Sequence, residues 1–268
     1  MTEEKRNEIK TKHTKQRYPV FDTLRGLTLL SMLFYHGIWD LVYLYGFDWQ
    51  WYKGEYAYIW QQSICWSFIL LSGFCFRFGK HHLKRGLLVT AAGFLITVIT
   101  IVFMWEERVV FGVLTLLGCA MLLMIPLDKG VHAIEKLCAG KEKLINGIGI
   151  VISFGMLILT KNINIGYLGF DSWKFCRLPQ CLYQNTLTAF FGFPGEHFFS
   201  TDYFSLLPWF FLFAGGYFLH GIIMKNRTDG KWLQFCIKPL EYMGKHSLIL
   251  YMVHQPVLYA LFWLLFGH

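Results

Sequence analysis

The sequence predicts an all-α polytopic membrane bundle of about seven transmembrane helices, and three observations carry that expectation. Of the 268 residues, 55% are apolar and only 16% are charged, with mean hydropathy +0.40, where a soluble domain carries about 25% charged residues. Seven apolar segments, 20–43, 58–77, 86–104, 109–127, 144–160, 205–224 and 242–266, each approach the ~20 residues that a span requires. Basic residues also alternate between the connecting segments. Eighteen of the 25 Lys and Arg fall in 1–18, 77–86, 128–143 and 225–238, and five (Lys53, Arg108, Lys161, Lys174, Arg177) fall in the other set. By the positive-inside rule the N-terminus is cytoplasmic and the C-terminus extracytoplasmic, as an odd number of spans requires. The formal charge of +8 is accounted for by these loops and calls for no nucleic acid.

Taken in order, residues 1–18 read as a basic cytoplasmic tail without the apolar core of a signal peptide. Residues 19–268 read as one transmembrane domain in the plasma membrane, with no internal repeat. The first span, VFDTLRGLTLLSMLFYHGIWDLVYLY, holds Arg25 and His36 eleven residues apart. That is almost three helical turns, so both lie on one face, about 16 Å apart along the axis. Ionisable residues on one stripe of a membrane helix mark a functional pathway by default. Asp22 sits three residues before Arg25, at the spacing of an ion pair; Asp40 sits four after His36, where a carboxylate can fix an imidazole tautomer.

The second, third and fourth spans carry little polarity of their own. Between the second and third, His81, His82, Lys84 and Arg85 read as a cytoplasmic basic surface. The outer segments 45–60 and 166–211 are rich in Trp, Tyr and Phe, as in an interfacial aromatic belt. After the fifth span the outer stretch 161–204 is too long for an idle loop, and 183–199 has the look of a re-entrant or interfacial piece. Cys176 and Cys181 lie there, on the side where a disulfide can form, though spacing leaves the pairing open. No CxxC or zinc spacing is present, and no metal is expected.

At the sixth span, TDYFSLLPWFFLFAGGY (201–217) puts Asp202, Tyr203 and Trp209 at the outer boundary, with Pro208 interrupting the first turns. In the last span, Tyr251 and His254 share a face and Pro256 follows. Gly244, Lys245, His246 and Ser247 open that span at its cytoplasmic end, a composition suited either to an anion such as phosphate or to plain capping.

The Arg-x10-His spacing resembles that of acyltransferase-3-type membrane acyltransferases. More closely, the chain resembles the catalytic domain of heparan-α-glucosaminide N-acetyltransferases and their small bacterial relatives. Five stretches carry the likeness: DTLRGLTLLSMLFYH (22–36), LSGFCF with the basic loop after it (71–85), VVFGVLTLLGCAMLL (109–123), DYFSLLPWFFLFAGGYFL (202–219) and GKHSLILYMVHQPVL (244–258). The resemblance implies transfer of an acetyl group from cytosolic acetyl-CoA to an amino sugar or glycan across the membrane, among membrane lipids, by a homodimer. Taken together with the spacings above, it makes His36, Asp40 and His254 the catalytic candidates. Arg25, Lys245, Ser247 and Tyr251 become cofactor-binding, and Asp202, Tyr203 and Trp209 substrate-binding. Two departures stand out. Trp49–Tyr58, where the family carries its histidine, has none, and Ser205 replaces a proline in the common DYFPLLPW pattern.

Two readings of other classes compete. One is a small-solute or lipid transporter, against which the lack of duplicated halves counts. The other is a haem-binding redox protein, prompted by His36, His220, His246 and His254.

Overall fold

The computed structural model describes residues 18–225 and 230–267. The expected tail lies, Tyr18 apart, outside the described residues. Among the described residues the fold is an all-α bundle of seven long helices: α1 (Pro19–Tyr43), α2 (Glu55–Phe76), α3 (His82–Phe103), α4 (Val113–Leu137), α5 (Glu142–Thr160), then a one-turn α6 (Thr186–Ala189), α7 (Leu206–Ile223), a short α8 (Lys238–Lys245) and α9 (Ser247–Phe266). Six of them, α2, α3, α4, α5, α7 and α9, are long and apolar enough to cross a membrane. The first of the seven expected spans does not meet that standard. At 25 residues α1 is about 37 Å long, ample for a bilayer. Its apolarity falls short because it carries Asp22, Arg25, His36 and Asp40.

Helices touch where glycine lets backbones approach. A Cβ on Gly73 of α2 would lie 1.9 Å from the carbonyl oxygen of Phe213, and one on Gly216 of α7 would lie 2.1 Å from that of Leu70. The contact is reciprocal, as in small-residue packing between membrane helices. A second reciprocal pair joins α1 to α8: Gly26 would meet the Leu240 oxygen and Gly244 the Asp22 oxygen, each at 1.8 Å. The largest core cluster sits among α2, α4 and α7, around Ile69, Leu116, Met124, Phe213 and Tyr217. Outward faces such as Leu87, Phe94 and Val102 of α3 and Ile249, Val257 and Leu264 of α9 are exposed and apolar, which suits a lipid surround.

Three local features differ from the sequence reading. The last span is split: the chain leaves α8 at His246 and starts α9 at Ser247, so Gly244 closes one helix instead of opening the next. The long outer segment holds an antiparallel hairpin, β1 (Tyr167–Phe170) and β2 (Trp173–Arg177), turned by Asp171 and Ser172 with Asp171 at φ 50°. Its alternating aromatics were read only as an interfacial belt. The 183–199 piece contains nothing long enough to cross; Ala189 is fully buried, and the Leu206 N–H donates to the Phe190 carbonyl, pinning the piece to the start of α7. That start is irregular as the proline suggests: Leu207 has ψ 133°, so regular helix begins at Pro208.

Candidate active site

Helices α1 and α9 pack side by side and bring His36 against His254, with ring centroids 4.8 Å apart and the planes at 62°. His254 is buried and His36 half-buried. The Nδ1–H of His254 donates to the Tyr251 carbonyl oxygen at 2.6 Å. A carbonyl only accepts, so this bond places the proton on Nδ1 and leaves Nε2 with a free lone pair. Nε2 is buried and has no hydrogen-bond partner among the described residues. In its neutral form the His254 imidazole therefore holds its basic nitrogen open beside a second imidazole.

Two polar contacts border the pair. On one side Asp40, fully buried, accepts from Gln255 Nε2 at 2.7 Å. The i+4 spacing brings Asp40 near His36 in sequence terms, yet its carboxylate is held by Gln255 across the helix interface. Sequence reasoning missed Gln255, although it directly follows His254. On the other side the Tyr251 hydroxyl donates to Asp202 Oδ2 at 3.3 Å, and the same oxygen accepts from the Val113 N–H at 3.3 Å. Burial raises the Asp202 carboxyl above the usual carboxylate range, opposed by these two donors. Asp202 thus ties the start of α4 and the approach to α7 to the second turn of α9.

The remaining expected residues are distributed around this centre. Trp209 is buried and meets Trp66 edge-to-face at 5.8 Å, while Lys161 Nζ lies over its ring at 4.1 Å. Lys161 makes no ion pair among the described residues, and nothing in the sequence separated it from the outer loop charges. The Tyr203 hydroxyl donates to the Ala189 carbonyl at 2.5 Å; burial pushes this hydroxyl up to about 12, so it stays a donor.

Arg25 lies on α1 toward the end of the bundle where the basic connections gather. It pairs with Asp22 at 2.8 Å, as the spacing predicts, and comes within reach of Cys75 of α2 and Arg85 of α3. Arg85, expected on the cytoplasmic basic surface, thus shares this end of the bundle with Arg25. Lys245 is exposed and pairs with Glu241 at 2.5 Å, one turn back along α8. Ser247 is the first residue of α9, whose N-cap, His246, makes no side-chain capping bond.

The elements that build this arrangement, from α1 to the middle of α9, coincide with a match to a family model. The model described as heparan-alpha-glucosaminide N-acetyltransferase, catalytic, matches residues 17–256. The chain belongs to that family. No curated protein and no solved structure matches it in the corresponding comparisons. As a member of the heparan-alpha-glucosaminide N-acetyltransferase catalytic family, the chain carries the family's membrane acetyltransferase domain. The match takes in both histidines, Asp40, Asp202 and Gln255.

Proposed function

We propose that this chain transfers an acetyl group from cytosolic acetyl-CoA to an amine or hydroxyl of a sugar or glycan on the far side of the plasma membrane, with His36 and His254 at the reacting centre. The observation that carries the reading is the contact between these two rings, with the basic nitrogen of His254 unpartnered between α1 and α9.

Acyl transfer needs a base. The acceptor nitrogen or oxygen attacks the thioester carbonyl, a new N–C or O–C bond forms, and the C–S bond breaks. The acceptor's proton passes to an imidazole and from there to the departing thiolate. A general base placed in this way contributes roughly 10²–10⁴-fold. His254 Nε2 is the better-prepared base because its tautomer is fixed; His36, in contact with it, is the partner imidazole. Asp40 and Gln255 hold the two helices in register beside the pair.

Acetyl-CoA is polyanionic, and the residues fit it at one end of the bundle. Arg25 with Arg85 gives two guanidiniums at the end of α1 where the basic loops lie, which the positive-inside rule assigns to the cytoplasm. Lys245, tied to Glu241, contributes less there. At the opposite end Asp202, Tyr203 and Trp209, with Lys161 over the Trp209 ring, line the approach for the acceptor. With α1 as a seventh crossing, the N-terminus is cytoplasmic and the C-terminus outside. Two imidazoles in contact at 4.8 Å leave no room for a porphyrin between them, so the haem reading draws no support from this pair.

Purified protein in lipid discs, given radiolabelled acetyl-CoA and a panel of amino sugars, tests the proposal. The expected result is labelled acceptor with wild type and loss of at least about 10²-fold with His36→Ala or His254→Ala at unchanged folding. No acetyl-CoA-dependent product with any acceptor of this class would count against it.

A further inference from the structure

A second polar cavity lies away from the histidine pair, at the same end of the bundle as Arg25 but on other helices. It encloses roughly 430 Å³ between the ends of α2, α3, α4, α5 and α7, and no residue of α1, α8 or α9 lines it. Its wall is a bonded network. Arg77 Nη2 donates to Glu135 at 3.2 Å and to the Tyr217 hydroxyl at 3.0 Å, and Tyr217 in turn donates to Asp128 at 2.6 Å. Lys225 pairs with Glu142 at 2.5 Å.

Three carboxylates, Asp128, Glu135 and Glu142, face two fixed cations, Arg77 and Lys225, and three histidines, His82, His132 and His220, with His132 Nδ1 3.3 Å from Asp128; with the imidazoles neutral the wall carries a formal excess of one negative charge. Acidity alone would mean little in a network that satisfied itself. This one does not. Asn146 is 1% exposed, and its amide nitrogen donates twice, to Glu135 at 3.0 Å and to the Glu142 carbonyl at 2.7 Å. Both partners are acceptors, which fixes the amide orientation and turns Oδ1 away from them. That oxygen is buried and has no donor among the described residues, and Arg77 Nε likewise has no acceptor. A buried acceptor left without a donor keeps its full desolvation penalty. Gly221 forms the floor beneath both groups: a Cβ there would lie 2.1 Å from Asn146 Oδ1 and 2.6 Å from Arg77 Nη1. The unsatisfied acceptor and the Nη1 end of the Arg77 guanidinium therefore sit side by side.

We propose that this cavity is a second ligand site, taking an ammonium group with a neighbouring oxygen: a 2-amino alcohol unit. The ammonium donates to Asn146 Oδ1 and neutralises the surplus carboxylate charge, and the adjacent oxygen accepts from the Arg77 guanidinium at its Nη1 end. The volume falls within the range of small-molecule pockets. A quaternary ammonium lacks the N–H that Asn146 requires. The same chemistry comes from a free amino alcohol or from the headgroup of phosphatidylethanolamine.

The full chain, purified into discs of phosphatidylcholine and phosphatidylglycerol with no acyl donor, is titrated with ethanolamine and with choline while thermal unfolding and binding of radiolabelled ethanolamine are followed. Ethanolamine is expected to bind saturably and raise the unfolding midpoint; choline is not. Asp128→Asn, which removes the surplus charge, and Gly221→Ala, which fills the floor, each weaken ethanolamine at least tenfold. Loss of the ethanolamine response in discs containing phosphatidylethanolamine identifies the headgroup as the occupant; retention identifies the free amino alcohol. No saturable binding by wild type, an equal response to choline, or unchanged affinity in both variants overturns the proposal. Because no acyl donor is present, failure here leaves the acetyl-transfer reading untouched.

Discussion

The Gln255 side-chain amide donates to the fully buried Asp40 carboxylate at 2.7 Å, joining α1 to α9 immediately beside the place where His36 meets His254. This bond sets the relative rotation and height of the two helices, and so the spacing of the two imidazoles.

Gln255→Leu should therefore act twice. It leaves a buried carboxylate without its donor, which costs about 1–3 kcal/mol or more for an ionised group. It also releases the register of α1 on α9. The expected outcome is a lower unfolding midpoint together with reduced turnover, read by thermal unfolding and by acetyl transfer on the same preparation. A variant as stable as wild type would show that this bond does not hold the helices together.

The reciprocal glycine contact between α1 and α8 predicts a steric effect. Gly244→Ala places a Cβ 1.8 Å from the Asp22 oxygen, where the neighbour is backbone and cannot swing aside. Overpacking of this kind costs typically 1–3 kcal/mol. The change should lower the unfolding midpoint and also disturb the Asp22–Arg25 pair. If Gly244 instead belonged to an anion-binding turn, alanine would weaken coenzyme A binding at unchanged stability, and calorimetry alongside thermal unfolding separates the two.

Arg25→Ala should weaken coenzyme A at least tenfold in a calorimetric titration, with a steeper loss at low ionic strength, where exposed charge pairs are least screened. Arg108→Ala should leave binding unchanged. Arg108 lies at the other end of the bundle, over the rings of Trp105 at 4.5 Å and Phe199 at 5.1 Å. Equal losses in the two variants would contradict the assignment of the cofactor to the basic end.

Much of the bundle was legible in the sequence because a span must be a long apolar run, and the runs were plain. The Asp22–Arg25 pair was legible for a similar reason: it depends only on spacing within one helix. Partners across helices were not. Asp40 was assigned to His36 from i+4 spacing, but Gln255 on α9 reaches it, and no periodicity within α1 reports on α9. His36 and His254 were each singled out as polar residues in apolar spans, and their meeting was supplied by the fold. Gly244 had the composition of an anion-binding turn, whereas its environment is the backbone of Asp22. The cavity around Asn146 was not legible because Glu135 and Glu142 flank the charged connection 128–143, where nothing in the spacing sets them apart from its other charges. The available signal was Asn146 itself, an amide one turn into the apolar segment 144–160.

The most direct test of the central claim is a double-mutant cycle on acetyl transfer, measured in single turnover with wild type, His36→Ala, His254→Ala and the double variant, all shown to be folded. If the two imidazoles work as one unit, each single change costs at least about 10²-fold and the double variant is little worse than either. Near-wild-type turnover in either single variant, or losses that simply multiply, would contradict the account.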